Sequence, residues 1–170
     1  SEEKGNYIIT SVLLRLTKEI HRINAGYGAI QQLLKDKNIT NPSIKDISET
    51  VMEIRRSKLP DPKILGNGGS FFKNPIVDGD IFNDMVKEYP TIPYYQVSEK
   101  SYKIPAGWLI EKAGYKGKRV GDVGVHKDQA LVLVNYGNAK GNDIKDLAFT
   151  IQKEIKEHFG ILLEPEVNII

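Results

Sequence analysis

Residues 55–77 read Arg55-Arg56-Ser57-Lys58-Leu59-Pro60-Asp61-Pro62-Lys63-Ile64-Leu65-Gly66-Asn67-Gly68-Gly69-Ser70-Phe71-Phe72-Lys73-Asn74-Pro75-Ile76-Val77. Pro60, Pro62 and Pro75 rule out a continuous helix, because each fixes φ and removes a backbone donor. Gly66, Gly68 and Gly69 admit positive φ and close approach to a ligand. A rigid entry thus meets a pliant turn carrying a hydroxyl, an amide and lysine ammonium groups. The spacing has neither the Walker pattern nor the Gly-x-Gly-x-x-Gly dinucleotide fingerprint. On the residues alone the stretch is either a plain loop or a loop for an anionic or polar ligand.

The rest of the composition narrows the class. A chain of 170 residues, 40% hydrophobic and 27% charged, has the make-up of a globular domain with a real core. A net charge of +2 provides no basic field for nucleic acid. The absence of cysteine excludes disulfides and thiolate chemistry. His21, His126 and His158 are scattered, so no zinc pattern forms. No apolar run approaches the roughly 18 residues of a membrane span. The expectation is a cytoplasmic protein with no membrane or nucleic-acid partner.

Outward from the glycine stretch, periodicity predicts the elements. Ile8, Thr10, Val12, Leu14 and Leu16 share one face of a strand over residues 7–16, with Ser11 and Arg15 opposite. That strand opens the chain without a preceding turn, which suggests a segment removed upstream. Ile30, Leu33 and Leu34 mark a short helix over residues 28–37. Asn41 and Pro42 read as cap and first residue of a helix running through Ile44, Ile47, Val51 and Ile54 to Lys58. Its last turn presents Arg55, Arg56 and Lys58, either as complements to the helix dipole or as cations at the mouth of the glycine stretch.

Strands follow at residues 71–77 and around Tyr94, Tyr95 and Val97, with a helix over residues 80–88 between them. Pro105 opens a helix holding Trp108, read as a core residue. Residues 121–137 read as a hairpin-like pair whose unbroken apolar run, Leu131 to Val134, marks a central strand. Asn142 is the expected cap of a final helix that Gly160 stops, and residues 161–170 read as a last strand. The fold class expected is α+β, a two-layer domain with a mainly antiparallel sheet and packed helices, spanning residues 1–170 as one domain.

Three blocks together resemble the family of UDP-N-acetylenolpyruvoylglucosamine reductases: Leu59-Pro60-Asp61-Pro62-Lys63-Ile64-Leu65-Gly66-Asn67-Gly68-Gly69-Ser70-Phe71-Phe72-Lys73-Asn74-Pro75, the run from Ala106 to Asn135, and Leu163-Glu164-Pro165-Glu166-Val167. The resemblance covers nearly the whole chain and points to the carboxy-terminal, substrate-binding portion of that family. It implies a flavoenzyme that reduces UDP-N-acetylglucosamine enolpyruvate to UDP-N-acetylmuramate for peptidoglycan. NADPH and FAD are the cofactors, with FAD held mainly by an amino-terminal domain that is absent from this chain and would be its partner. The fragment alone is expected to be inactive.

The resemblance also assigns roles. Ser70 matches the acid that protonates C2 of the substrate, and Glu166 matches an acidic partner whose pKa burial would raise in a closed site. Lys58 matches a diphosphate-binding lysine, Asn74 and Gln129 match contacts to the nucleotide portion, and Arg55 occupies another basic position. Two departures stand out: Gly68 where the family has alanine, and Asn168 where it often has arginine. A stand-alone nucleotide-sugar binding module is the alternative from another class, and an interaction domain with structural Ser70 and Glu166 is a third.

Overall fold

A computed structural model describes residues 6–169 of the chain. Its elements run α1 (Gly28–Asp36), α2 (Ile44–Lys58), β1 (Gly66–Ser70), β2 (Ile76–Asp78), α3 (Gly79–Glu88), β3 (Tyr95–Ser98), β4 (Ser101–Lys103), α4 (Ala106–Lys112), β5 (Arg119–Val120), β6 (Val123–Val125), β7 (Val132–Asn135) and α5 (Gly141–Phe159). Two compact units divide it, residues 1–54 and residues 55–170, with the boundary falling in the sequence of α2.

In the first unit the cap of α2 differs from the expected one. Ser43, not Asn41, closes the helix: its Oγ accepts the Asp46 N–H at 3.2 Å, while the Asp46 carboxylate accepts the Ser43 N–H at 2.7 Å. This reciprocal box satisfies two donors at the helix start. The Ser43 hydroxyl and backbone N–H hold the Asp46 carboxyl below its ordinary value. Lys37, just past α1, pairs with Glu53 of α2. Residues 7–16 form no strand, because no other segment among the described residues supplies a ladder for them.

The second unit is α+β, with every strand pairing antiparallel. The expected antiparallel character holds, and it is shared between two sheets. One has the order β1-β7-β6-β5 and the other β2-β4-β3. The apolar run Val132 to Val134 is central, flanked by β1 and β6, and is buried throughout. Helix α5 lays Leu147, Ala148, Ile151 and Ile155 on β6 and β7, at the spacing that puts one stripe toward a core. It is capped at Lys140 and starts at Gly141, two residues earlier than a cap at Asn142 would place it. The Asp143 carboxylate accepts the Lys140 N–H at 2.7 Å, and Gly160 ends the helix at φ 68°.

In the smaller sheet, Phe82 of α3 stacks on Tyr102 of β4 with ring centroids 4.0 Å apart. Trp108 is half-buried against the core and meets Tyr89 edge-on at 5.3 Å. The expected strand over residues 71–77 divides into the buried pair Phe71 and Phe72 and then β2. The expected last strand shrinks to one antiparallel bridge, Phe72 with Pro165, since a proline cannot donate to a ladder; residue 170 lies outside the described residues.

Candidate active site

The glycine stretch is a strand, not a turn. Gly66 pairs with Asn135 and Asn67 with Val134, yet Ser70 pairs with Val132. Three steps on β1 therefore match two on β7, and the extra residue is a β-bulge. Gly69 takes it up at φ 76°, a conformation that L side chains rarely adopt. The Asn67 side chain fixes the local geometry. Its Oδ1 accepts the Gly69 N–H at 3.0 Å, and its Nδ2 donates to the carbonyls of Leu65 at 2.8 Å and Pro60 at 3.3 Å. The bulge re-aims the end of β1, and Ser70 emerges exposed at that end.

The chain then turns both sides of Phe71 to use. Its N–H donates to the Leu131 carbonyl at 2.8 Å, on the β7 side. Its carbonyl accepts the Glu166 N–H at 2.8 Å from the opposite side. One residue on, Phe72 bridges Pro165, and the Lys73 N–H donates to the Glu164 carbonyl at 2.9 Å. The Lys73 and Glu164 side chains add an ion pair across the same join. The terminal segment thereby brings Glu166, also exposed, alongside the residue next to Ser70. Ninety-odd residues of sequence separate the two, and only this pairing brings them together.

Asn74 and Gln129 are brought together elsewhere. They line one cavity of about 320 Å³ with Tyr95, Trp108 and Glu111, within the size range of small-molecule sites. Asn74 is already half-committed: its Oδ1 accepts the Ala106 N–H at 2.9 Å, satisfying a donor at the start of α4. That orientation leaves the Nδ2 amide as the group able to donate to a ligand.

Arg55 and Lys58 are exposed on the last turn of α2, and neither lines the cavity of Asn74 and Gln129. A larger cavity, about 650 Å³, borders β1 and the start of α5. Asn67, Gly68, Lys140, Lys145 and Asn168 line it, while Ser70 and Glu166 do not.

Sequence reasoning missed Asn67 as an organiser, although an asparagine two residues before a glycine is a recognised turn-former. It also missed Tyr95 and Glu111 as cavity residues, for which nothing local gave a signal.

No helix among the described residues is long and apolar enough to cross a membrane, and among them no cluster of His, Cys, Asp and Glu could hold a metal ion. The family described as "UDP-N-acetylenolpyruvoylglucosamine reductase, C-terminal domain" matches residues 61–170. A UDP-N-acetylenolpyruvoylglucosamine reductase of Flavobacterium johnsoniae is 56% identical over 170 residues, all of this chain and 50% of that protein. One from Pseudomonas aeruginosa is 45% identical over 99% of this chain and 49% of its own length. One from Porphyromonas gingivalis is 51% identical over 85% of this chain and 42% of its own. The chain spans about half the length of the curated relatives it matches. It belongs to the family of UDP-N-acetylenolpyruvoylglucosamine reductase carboxy-terminal domains.

Proposed function

We propose that the chain is the substrate-binding half of a cytoplasmic reductase that converts UDP-N-acetylglucosamine enolpyruvate to UDP-N-acetylmuramate, with FAD and NADPH as cofactors. Family membership supports this reading, and the single observation that carries it is the Glu166 N–H to Phe71 carbonyl bond, which fastens Glu166 to the residue that follows Ser70. FAD is assigned mainly to the other half of the full-length protein. Toward it, this chain offers an open approach, since a Cβ at Gly69 would meet nothing within 4 Å. Bound there, the flavin would supply a hydride to C3 of the enol ether.

The residues of this chain then handle the charge and the proton. Reduction at C3 leaves the electron pair at C2, as an enolate conjugated with the substrate carboxylate. Ser70 donates its hydroxyl proton to C2, forming the C–H bond, and the serine oxygen recovers a proton from solvent. A hydroxyl is a weak acid, but an enolate is a strongly basic acceptor, so the transfer runs downhill. Glu166 serves as the acidic group beside the developing enolate. Lys58 neutralises the diphosphate as a point charge, with Arg55 nearby on the same turn. The cavity of Asn74 and Gln129 takes the nucleotide portion, with Asn74 Nδ2 as donor.

The test is Ser70→Ala in the full-length protein, with the two half-reactions followed separately by stopped flow. Reduction by NADPH keeps its rate, because no C2 proton is involved. Reoxidation by substrate slows by about 10²–10⁴-fold, the usual contribution of general acid catalysis. A full-speed second half-reaction removes Ser70 from the chemistry. A binding module without redox activity would show neither half-reaction in the wild type.

A further inference from the structure

Ser70 owes its exposure to one irregularity of β1. Partners across a ladder share a face of the sheet, and successive residues of a strand alternate between faces. In unbroken register Ser70 would take the face of Gly66 and Asn135, and hence of Leu133, which lies in the hydrophobic core with Ala148 and Ile151. The bulge sets Gly68 and Gly69 against that single step, and Ser70 pairs with Val132 instead. The same slip turns Phe71 into the core, 7% exposed, and leaves Ser70 facing out. An exposed serine has no packing to fix its side chain, so the aim of its hydroxyl follows its backbone.

We propose that Asn67 is the positioning residue of Ser70, its side-chain amide holding the bulge in the one geometry that aims the hydroxyl at the substrate. This rests on the reading of Ser70 as the acid. Asn67 Oδ1 accepts the N–H of Gly69, the residue that carries the positive φ of 76° directly before Ser70. Asn67 Nδ2 spends its two hydrogens on the carbonyls of Leu65 at 2.8 Å and Pro60 at 3.3 Å. A reversed amide would set donors against the Gly69 donor and its oxygen against two carbonyls, so the orientation is fixed. Burial of Phe71 keeps β1 in register from the core side. A change at Asn67 therefore loosens the bulge without unpairing the strand, and a small displacement of an acid from its acceptor is costly in rate.

Stopped flow on the full-length protein tests this with Asn67→Ala, Asn67→Ser and the double variant Asn67→Ala/Ser70→Ala. In Asn67→Ala, reoxidation of the flavin by substrate should slow on the order of 100-fold, while reduction by NADPH keeps its rate. Added to Ser70→Ala, the same change should slow reoxidation by no more than about twofold, because residues that act as a unit do not add. An asparagine that only folds the loop would slow both half-reactions, or add its loss in full to that of Ser70→Ala, and either result overturns the proposal. Asn67→Ser gives a second reading, and it decides alone if the alanine variant does not fold. Its hydroxyl can still accept the Gly69 N–H, as in a serine turn, but cannot replace the pair of bonds from Nδ2. Reoxidation within about tenfold of wild type supports the positioning role, and slowing beyond that refutes it. Hydrogen exchange reads the same bond without turnover: the Gly69 amide should exchange on the order of tenfold faster in Asn67→Ala, and an unchanged rate overturns the proposal. A Ser70→Ala variant that reoxidises at full speed removes the acid and the proposal with it. A slow Ser70→Ala beside a full-speed Asn67→Ala refutes the positioning role alone.

Discussion

Asn74 is asked to do two jobs with two ends of one amide, and substitutions can separate them. Its Oδ1 accepts the Ala106 N–H at 2.9 Å, and its Nδ2 is assigned to substrate. Asn74→Ala removes both. The orphaned donor at the start of α4 then costs about 1 kcal/mol, as loss of a capping acceptor does. For a unit of this size that lowers Tm by about 4 °C. Loss of a neutral hydrogen bond to the ligand weakens binding by about 1 kcal/mol more, roughly fivefold in Kd. Asn74→Asp keeps the acceptor in place and puts a negative charge where the helix dipole welcomes it. It should therefore melt within about 1 °C of wild type. Its binding should nevertheless fall at least as far as that of the alanine variant, because the donor is gone and an anionic ligand now meets an anion. Calorimetric melting and titration of the full-length protein with substrate read the two effects. If Asn74→Asp melts as early as Asn74→Ala, the amide is oriented the other way and the division of labour is wrong.

Lys58→Ala should raise KM by the equivalent of about 2–3 kcal/mol with a smaller effect on kcat, since a ground-state diphosphate contact is lost; an unchanged KM demotes Lys58 to a helix-end charge. Gly124→Ala should cost about 2–3 kcal/mol in denaturant unfolding. Its Cβ would lie 2.7 Å from the Lys118 carbonyl oxygen and 3.2 Å from the Arg119 Cα, backbone atoms that cannot retreat without parting β5 from β6, and near-wild-type stability would show that this hairpin is soft. Burial of Tyr115, aided by a hydrogen bond to Glu154, pushes its phenol from 10.0 to about 12. The neutral form is thus favoured in the folded state, so the stabilisation is intact below pH 10 and erodes as pH rises toward 12. Unfolding midpoints measured across that window should fall for wild type and fall less for Tyr115→Phe.

The helices were legible because their signals are local. The stripe of α5 and the apolar positions of α2 each sit within one element, so periodicity reports them directly. The central place of β7 was legible for a similar reason, since an unbroken Val-Leu-Val run can only be covered on both faces. The glycine stretch was not. Gly66 to Ser70 has almost no side chains to alternate, so its strand character is imposed by β7 across the ladder, and the bulge at Gly69 is visible only as a register shift. The last residues failed in the opposite sense: they look like a strand, but Pro165 interrupts donation and leaves a bridge. Residues 7–16 have strand chemistry and no partner among the described residues. At the site, the family resemblance named Ser70 and Glu166, but no pattern in the sequence indicates that the Phe71 carbonyl is what holds them together.

That carbonyl makes the Glu166 amide a gauge of site assembly. Two backbone bonds fasten the terminal segment, one on each side of a proline that contributes none. Opening them would carry Glu166 away from Ser70 while β1 stayed zipped to β7, so the site can come apart without the sheet melting. The exchange rate of one amide proton, compared with that of the Phe71 N–H, which donates to the Leu131 carbonyl on the β7 side, would read how often it does so.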